Sequence, residues 1–449
     1  MTADLRDLPA GAARGAPLTF DLEGDPIGAF EGEPVAVALH AAGVRTLGRS
    51  PKYHRPRGAF CLDGHCASCT LRIDGKPNRR ACTVPVRAGL RCERQNAFPS
   101  AELDVLTAAD WLFPEGMDHH TLMTGSRVGN ALFLKLVREM GGSGTLPDAP
   151  AAVFPAVCDD ELDVCIVGAG PAGLAAARAL GEAAPAARVA LFDEQAAPGG
   201  SLLALPGGAA RADALVAAAT RAGARIDGGA TALAYYAEDA GPSGRPGLLA
   251  VATAGGLRRV SARRYLYATG GYDQNLPFMD NDRPGIMSAR ACGRLAFHWG
   301  VRPVRAGARV VVVNGAATAV PLADGLARVG VEVEVVDLSR DRVLEARGTT
   351  RVRGLVVAGP TGRKRRVDGE LVAIATTPAP ASELPRQHGA AVRFAPERGG
   401  FVALVDEAHA TSAPGVFACG DVTGYVGPDA AEAAGAAAGR AVAATLGAP

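Results

Sequence analysis

Four of the nine cysteines in this 449-residue sequence fall in one stretch, FCLDGHCASCTLRIDGKPNRRAC, Phe60 to Cys82. Cys61, Cys66, Cys69 and Cys82 are separated by four, two and twelve residues. This is a spacing at which thiolates ligate a [2Fe–2S] cluster. Three thiolates on one tight loop wrap one side of the cluster, and the fourth arrives on a returning chain. Gly58 and Gly64 are expected to let backbone N–H groups approach the sulfurs. TLRID then reads as a strand leading away, and Lys76–Arg80 brings the chain back to Cys82. A tetrahedral zinc site is the alternative for four cysteines. Zinc sites usually pair two close C-x-x-C hooks, whereas here three ligands share one loop. Unrelated core thiols are the third reading.

A second chemistry follows from Leu162. LDVCIV (Leu162–Val167) reads as a buried strand, followed by Gly168-Ala169-Gly170-Pro171-Ala172-Gly173 and an alanine-rich helix. That is G-x-G-x-x-G in its strand–turn–helix context. Gly168 makes the tight turn, Gly170 lets the backbone reach a pyrophosphate, and Gly173 packs helix on strand. The helix N-terminus, with Pro171 and Ala172, attracts the phosphates. A second strand, Arg188–Phe192, ends in Asp193 and Glu194, either of which could accept from ribose hydroxyls; Asp193 is favoured. Gly199, Gly200 and Ser201 follow where the chain passes close to a cofactor. YLYATGG (Tyr265–Gly271), with Thr269 and Gly270, resembles the ATG motif of flavoproteins with two dinucleotide-binding domains. GVFACGD (Gly415–Asp421), with Gly420 and Asp421, precedes an Ala/Gly-rich helix around Pro428–Leu446. In that superfamily this aspartate bonds the flavin side chain, and the helix N-terminus favours reduced, anionic flavin. The cofactor expected is therefore FAD.

A further Rossmann-like order begins at Ala308–Val313, with a helix and a strand, Val331–Val336, ending at Asp337. Its fingerprint is degraded. Gly315 remains, but Ala317 and Val320 stand at the second and third glycine positions. Valine where helix packs on strand is unusual, so NAD(P) binding stays open here.

These modules need more than one core, and 449 residues allow two or three domains. A net charge of +1 gives no global field for nucleic acid. No run of 18 apolar residues suggests a spanning helix, and the first residues lack the pattern of a signal peptide. Thiolate ligation of iron suggests a reducing compartment. The expected location is cytoplasmic, with peripheral membrane association through a complex left open. Cys165, Cys292 and Cys419 read as packing residues. No C-x-x-C pair sits beside the flavin motifs, which argues against a disulfide reductase. The adjacent His119 and His120 read as surface or packing residues. No catalytic residue is identified.

PLTFDLEGDPIGAF reads as two strands around Glu23-Gly24-Asp25, and Pro34–Ala42 as a helix stopping at Gly43. That order leads into the cysteine loop as in a β-grasp ferredoxin module. Between helix and loop, RTLGRSPKYHRPRG carries Arg45, Arg49, Lys52, His54, Arg55 and Arg57. It is either a solvated basic loop or a cover over the cluster or a flavin. In the second case its charge, with Arg79 and Arg80, would raise a cluster potential from the plant-type value near about −400 mV.

GRSPKYHRPRG (Gly48–Gly58), RQNAFPSAELDVL (Arg94–Leu106) and NLPFMDNDRPGIMSA (Asn275–Ala289) carry a family resemblance that runs from about Ala16 to the C-terminus. The chain resembles alpha-type subunits of heteromeric amino-acid oxidases and dehydrogenases. These include sarcosine oxidase, opine oxidases, hydrogen cyanide synthase and dye-linked proline or hydroxyproline dehydrogenases. The resemblance implies an α/β fold: a two-dinucleotide-binding-domain flavoprotein with an N-terminal β-grasp [2Fe–2S] ferredoxin-like domain. The expected divisions are residues 1–100 for the ferredoxin-like domain and 101–157 for a connector. FAD binding takes 158–275 and 395–449, and the NAD(P)-like domain 276–394. It also implies a FAD-dependent catalytic beta-type partner, a downstream electron acceptor and oxidation of a secondary amine or amino acid on that partner. FMN at a subunit interface is left open, as is an adenine nucleotide other than FAD in the flavin pocket, or NAD. The rival readings are a stand-alone NAD(P)H-dependent flavin/iron–sulfur reductase and a structural or regulatory subunit.

Overall fold

A computed structural model describes residues 4–51, 53–108, 110, 126–131, 156–241 and 244–447. Lys52, the His119–His120 pair and most of the expected connector lie outside the described residues. The chain forms two compact units. One joins residues 1–150, 275–315 and 323–375; the other joins 151–274, 316–322 and 376–449.

The first unit begins with a five-stranded sheet. Its order is Asp25–Phe30, Pro17–Leu22, Arg91–Glu93, Thr70–Ile73 and Lys76–Arg80. Pro17–Leu22 and Arg91–Glu93 run parallel, and the other pairs are antiparallel. Helix Val35–Ala41 is buried along its whole length, so its apolar sequence follows from its place under the sheet. The same unit carries a parallel sheet ordered Ile286–Ser288, Leu371–Ala375, Arg309–Asn314 and Glu332–Asp337. The run Val310–Val313 is fully buried, as expected of a strand covered on both faces. A three-stranded antiparallel sheet, Arg342–Arg347, Gly354–Ala358 and Lys364–Asp368, completes the unit.

The second unit is built on a seven-stranded sheet. Arg225–Gly228, Val189–Asp193, Val157–Val167 and Gly256–Tyr267 lie parallel in that order. Val416–Ala418 also pairs in parallel with Gly256–Tyr267. A meander through Pro246–Thr253 and Thr231–Ala240 finishes the sheet. Helix Pro171–Ala183 packs against helix Pro428–Ala444 with almost no side chain between them. A Cβ added to Gly435 would lie 2.0 Å from the Ala172 carbonyl oxygen, and one on Gly439 2.3 Å from that of Ala176. The Ala/Gly-rich sequence of the last helix is thus a packing requirement.

On the other face of this sheet sits an aromatic knot. The Tyr267 hydroxyl and His388 Nδ1 are 2.9 Å apart, and Tyr235 stacks on the His388 ring. Burial pushes the His388 imidazole down to about 4. Its folded value lies below the ordinary 6.5, so the unfolded chain takes up this proton first as pH falls. The contribution is fully present above about pH 6.5 and is lost on the way to pH 4. Thermal unfolding followed between pH 7 and 4 is expected to show this loss, and a His388→Phe variant to show a flatter profile over the same range.

Candidate functional site

The four cysteines of the Phe60–Cys82 stretch come together. Cys69 Sγ and Cys82 Sγ are 3.5 Å apart. The backbone N–H groups of Asp63 and Cys66 each donate to Cys61 Sγ at 3.4 Å. Those of Gly64 and Ser68 face the sulfurs of Cys82 and Cys66. The loop achieves this with left-handed backbone at Leu62 (φ 49°) and Gly64 (φ 78°). Without metal, the Cys66 thiol is pushed up by its hydrogen bond to the Cys61 sulfur and by burial. Among the described residues no group of three or more His, Cys, Asp or Glu is arranged to hold a single metal ion. A two-iron cluster asks for a different arrangement, two thiolates to each iron. The gathered sulfurs and the backbone donors aimed at them fit such a cluster.

The two glycines of this region play different parts. Gly64 acts as expected, turning its N–H toward a sulfur. Gly58 does not: a Cβ there would lie 2.8 Å from the Arg45 carbonyl oxygen and 3.0 Å from Pro284 Cα. It is small because two backbones meet there.

The described residues of the basic loop are also not a cover of free charge. Arg49 is buried and donates to the carbonyls of Ala101 and His54 and to the Thr107 hydroxyl. His54 Nδ1 meets Asp104 Oδ2 at 2.9 Å. Arg55 binds Asp110, and Arg57 binds Asp282 at 2.8 Å. Arg45 donates to the His40 carbonyl at 2.7 Å. These side chains fasten chain segments to one another. Arg80 donates to the Gly64 carbonyl and so braces the cysteine loop from the returning strand.

The charges that do lie behind the loop come from a segment sequence reasoning missed. The chain at Ile286–Ser288 enters a short helix, Ala289–Gly293, capped by the Ser288 hydroxyl accepting from the Ala291 N–H. The Ser288 N–H donates to the Phe60 carbonyl at 3.0 Å. The helix continues as a π turn, Arg294–His298. Arg294 is 6% exposed, and its Nη2 lies 2.9 Å from Asp63 Oδ2. Burial alone would raise the Asp63 carboxyl. Arg294 above all, with His65 and Arg290, overrides it and holds the group at about 2.

In the second unit the glycine loop sits at the carboxyl ends of parallel strands, where α/β sheets bind ligands. Gly168 has φ +105°, and a Cβ on it would lie 2.3 Å from the Ala268 carbonyl oxygen. A Cβ on Gly173 would lie 1.8 Å from the Gly168 carbonyl oxygen. Gly170, by contrast, faces open space bounded by Gly200 Cα at 4.0 Å. It caps helix Pro171–Ala183 without a side-chain hydrogen bond to the first turn. A helix N-terminus with no side-chain cap, flanked by two glycine backbones, fits a pyrophosphate. Gly199 and Gly200 both have positive φ, and Gly200 begins the 3-10 turn Gly200–Ala204, which includes Ser201. The Thr269 hydroxyl donates to the Ala381 carbonyl at 2.7 Å, and the Gly270 carbonyl accepts from Ala381 N–H. Asp421 is 9% exposed, and its Oδ1 accepts from the N–H groups of Val426 and Gly427. Gly420 lies against Ala172, where a Cβ would meet the alanine methyl at 2.8 Å.

Asp193 is already employed. Its Oδ2 accepts from the Ala169 N–H at 2.6 Å and its Oδ1 from the Gln195 N–H at 2.8 Å. It braces the glycine loop, and Glu194 carries the neighbouring carboxylate. At the degraded motif, a Cβ on Gly315 would lie 2.8 Å from Leu338 Cδ1 and 3.0 Å from the Ala375 carbonyl oxygen. Val320 is 57% exposed, so it does not fill the helix-on-strand contact that Gly173 makes. Cys165, Cys292 and Cys419 are fully buried, and burial holds Cys292 and Cys419 at about 12. They pack.

The two kinds of glycine separate in one experiment. Gly173→Val is expected to destabilise the second unit by about 1–3 kcal/mol or more, because the helix must move off Gly168. Gly170→Ala is expected to leave the unfolding temperature of the FAD-free chain unchanged while lowering FAD retention on gel filtration.

The chain matches two families. Residues 15–97 match the 2Fe-2S iron-sulfur cluster binding domain, and 162–351 with 338–438 match the pyridine nucleotide-disulphide oxidoreductases. It is 32% identical over 397 residues to a sarcosine oxidase subunit alpha of Rhizobium meliloti, covering 78% of this chain and 37% of that one. The chain therefore spans little more than a third of that relative. A hydrogen cyanide synthase subunit HcnA of Pseudomonas aeruginosa is 43% identical over 88 residues, 19% of this chain and 84% of its own. In fold the chain is similar to L-proline dehydrogenase from P. horikoshii, with a TM-score of 0.70 at 23% identity over 97% of this chain and 74% of that one. It is also similar to T. acidophilum thioredoxin reductase, with a TM-score of 0.50 at 19% identity over 64% and 98%. With an iron–sulfur domain ahead of a two-dinucleotide-domain flavoprotein, the chain belongs to the pyridine nucleotide-disulphide oxidoreductase family, and in sequence it is similar to sarcosine oxidase alpha subunits.

Proposed function

We propose that this chain is the electron-transfer subunit of a heteromeric enzyme that oxidises a secondary amine or amino acid to an imine. The observation that carries the reading is the pairing, on one polypeptide, of a gathered four-cysteine loop with an uncapped glycine-rich helix start. The relatives named as sarcosine oxidase alpha subunits support the substrate class. In this reading the amine loses its two electrons and two protons on a partner subunit with its own flavin. FAD bound here supplies exchange between two-electron and one-electron transfer.

The chain's own residues hold and tune. Gly168, Gly170 and Gly173, with Pro171 and Ala172, shape the start of helix Pro171–Ala183 for the pyrophosphate. Gly199, Gly200 and Ser201 line the approach, and Thr269 and Gly270 fix the turn after the central strand. Glu194 takes the ribose hydroxyls while Asp193 braces the loop. Gly420 and Asp421 set the entry to helix Pro428–Ala444, whose positive end favours reduced flavin. Cys61, Cys66, Cys69 and Cys82 hold the iron.

Anaerobic reduction of the purified chain, followed by visible absorption and EPR, tests the reading. Dithionite is expected to reduce both chromophores, while sarcosine, proline, opines, NADH and NADPH each leave them oxidised until a catalytic partner is added. Bleaching by a nicotinamide alone, with a rhombic [2Fe–2S] signal, would make the chain a stand-alone reductase. Cys66→Ala is expected to abolish the EPR signal and keep the FAD absorption. If the complex carrying that variant still turned over fully with its natural acceptor, the cluster would be structural.

A further inference from the structure

Three arginines of the basic loop are tied up in their own neighbourhood. Arg49, Arg55 and Arg57 are engaged by carbonyls and carboxylates of their own neighbourhood. The cations buried behind the cysteine loop are Arg290 and Arg294, from the segment that starts at Ile286. Arg294 is seated on the buried carboxylate of Asp63.

Local structure explains how Arg294 gets there. The helix that begins at Ala289 changes to a π turn at Arg294. A π turn inserts an extra residue and re-aims the side chains after it, and such turns recur at functional sites. The start of the helix is fixed to the cysteine loop through the Ser288 N–H and the Phe60 carbonyl. Arg294 Nη2 then bonds Asp63, whose own N–H donates to Cys61 Sγ. Arg294 Nη1 is buried with no hydrogen-bond partner among the described residues. A buried guanidinium with unspent donor capacity sits most favourably beside extra negative charge.

We propose that Arg294, seated on Asp63, raises the electron affinity of the cluster held by the Cys61 loop. Reduction makes the cluster one charge more negative, and a fixed cation in low dielectric favours that state. The oriented N–H of Asp63 acts in the same direction, because hydrogen bonds to cluster sulfurs raise the potential. Arg294 is a positioning residue: its partner is Asp63, and it acts through charge and through the loop. The inference rests on the [2Fe–2S] reading of the four cysteines.

The test is an anaerobic redox titration of the full chain with reconstituted cluster, read by EPR. Arg294→Gln is expected to lower the midpoint potential by at least ~59 mV, a tenfold loss of electron affinity. Arg294→Lys restores most of it. Asp63→Asn removes the opposing negative charge and moves the potential up. A merely structural ion pair would weaken folding in both Arg294→Gln and Asp63→Asn without moving the potentials in opposite directions. If Arg294→Gln does not fold, Asp63→Asn decides, with an upward shift expected. Unchanged potentials with full cluster signals overturn the proposal. A wild-type chain that never yields the signal of a reduced [2Fe–2S] cluster overturns the cofactor reading instead.

Discussion

A loop that turns its N–H groups toward sulfur cannot also satisfy itself. The Phe60–Cys69 turn points the N–H groups of Asp63, Gly64, Cys66 and Ser68 inward. Its carbonyls must then find partners outside, and its carboxylate, beside His65 of the same loop, takes a cation from outside as well, since buried polar groups are costly when left unpaired. The Gly64 carbonyl is met by Arg80, the Phe60 carbonyl by the Ser288 N–H, and Asp63 by Arg294. Two of these three partners lie beyond residue 285. The ferredoxin-like sheet and the parallel sheet around Ile286–Ser288 therefore form one unit for a chemical reason.

The flavin half rests on a different economy, that of absent side chains. Gly168 and Gly173 make room for each other and for Ala268, whereas Gly435 and Gly439 let one helix lie on the backbone of another. Gly170 keeps space that no protein atom fills. One residue type serves the turn, the packing and the vacant face, and only the last concerns a ligand directly. At Gly315 the close packing survives, against Leu338 and Ala375. The second Rossmann-like motif thus keeps its fold-making glycine and has shed the rest of its fingerprint.

Much of this was legible in the residues because it is local. The cysteine spacing and the strand–glycine–helix order each lie within a few turns of chain, and the strands and helices expected around them are present. Asp193 shows where locality stops. Its position marks a carboxylate at the strand end, and each of its oxygens also accepts a backbone N–H, from Ala169 and Gln195, a bracing use that no local pattern shows. The basic loop shows the same limit. Its charges are visible in sequence, but Asp104, Asp110 and Asp282, which hold them, are distant. Arg294 had no signal at all beyond being an arginine in an apolar stretch. A short helix that is buried on every side and still carries two arginines is the clue that pattern reading could have used.

The bond between Asp63 and Arg294 also imposes an order in time. About 230 residues separate the two, and the whole of residues 151–274, which belongs to the other unit, is synthesised between them. At ~5–20 residues per second the cysteine loop waits roughly 10–50 s on the ribosome before its counter-ion exists. In that interval the thiols are present, the loop lacks its Ser288 and Arg294 ties, and Asp63 carries its charge without Arg294. The cysteine loop is thus least constrained before the second half of its unit is made, and the closing of the first unit behind Asp63 comes afterwards.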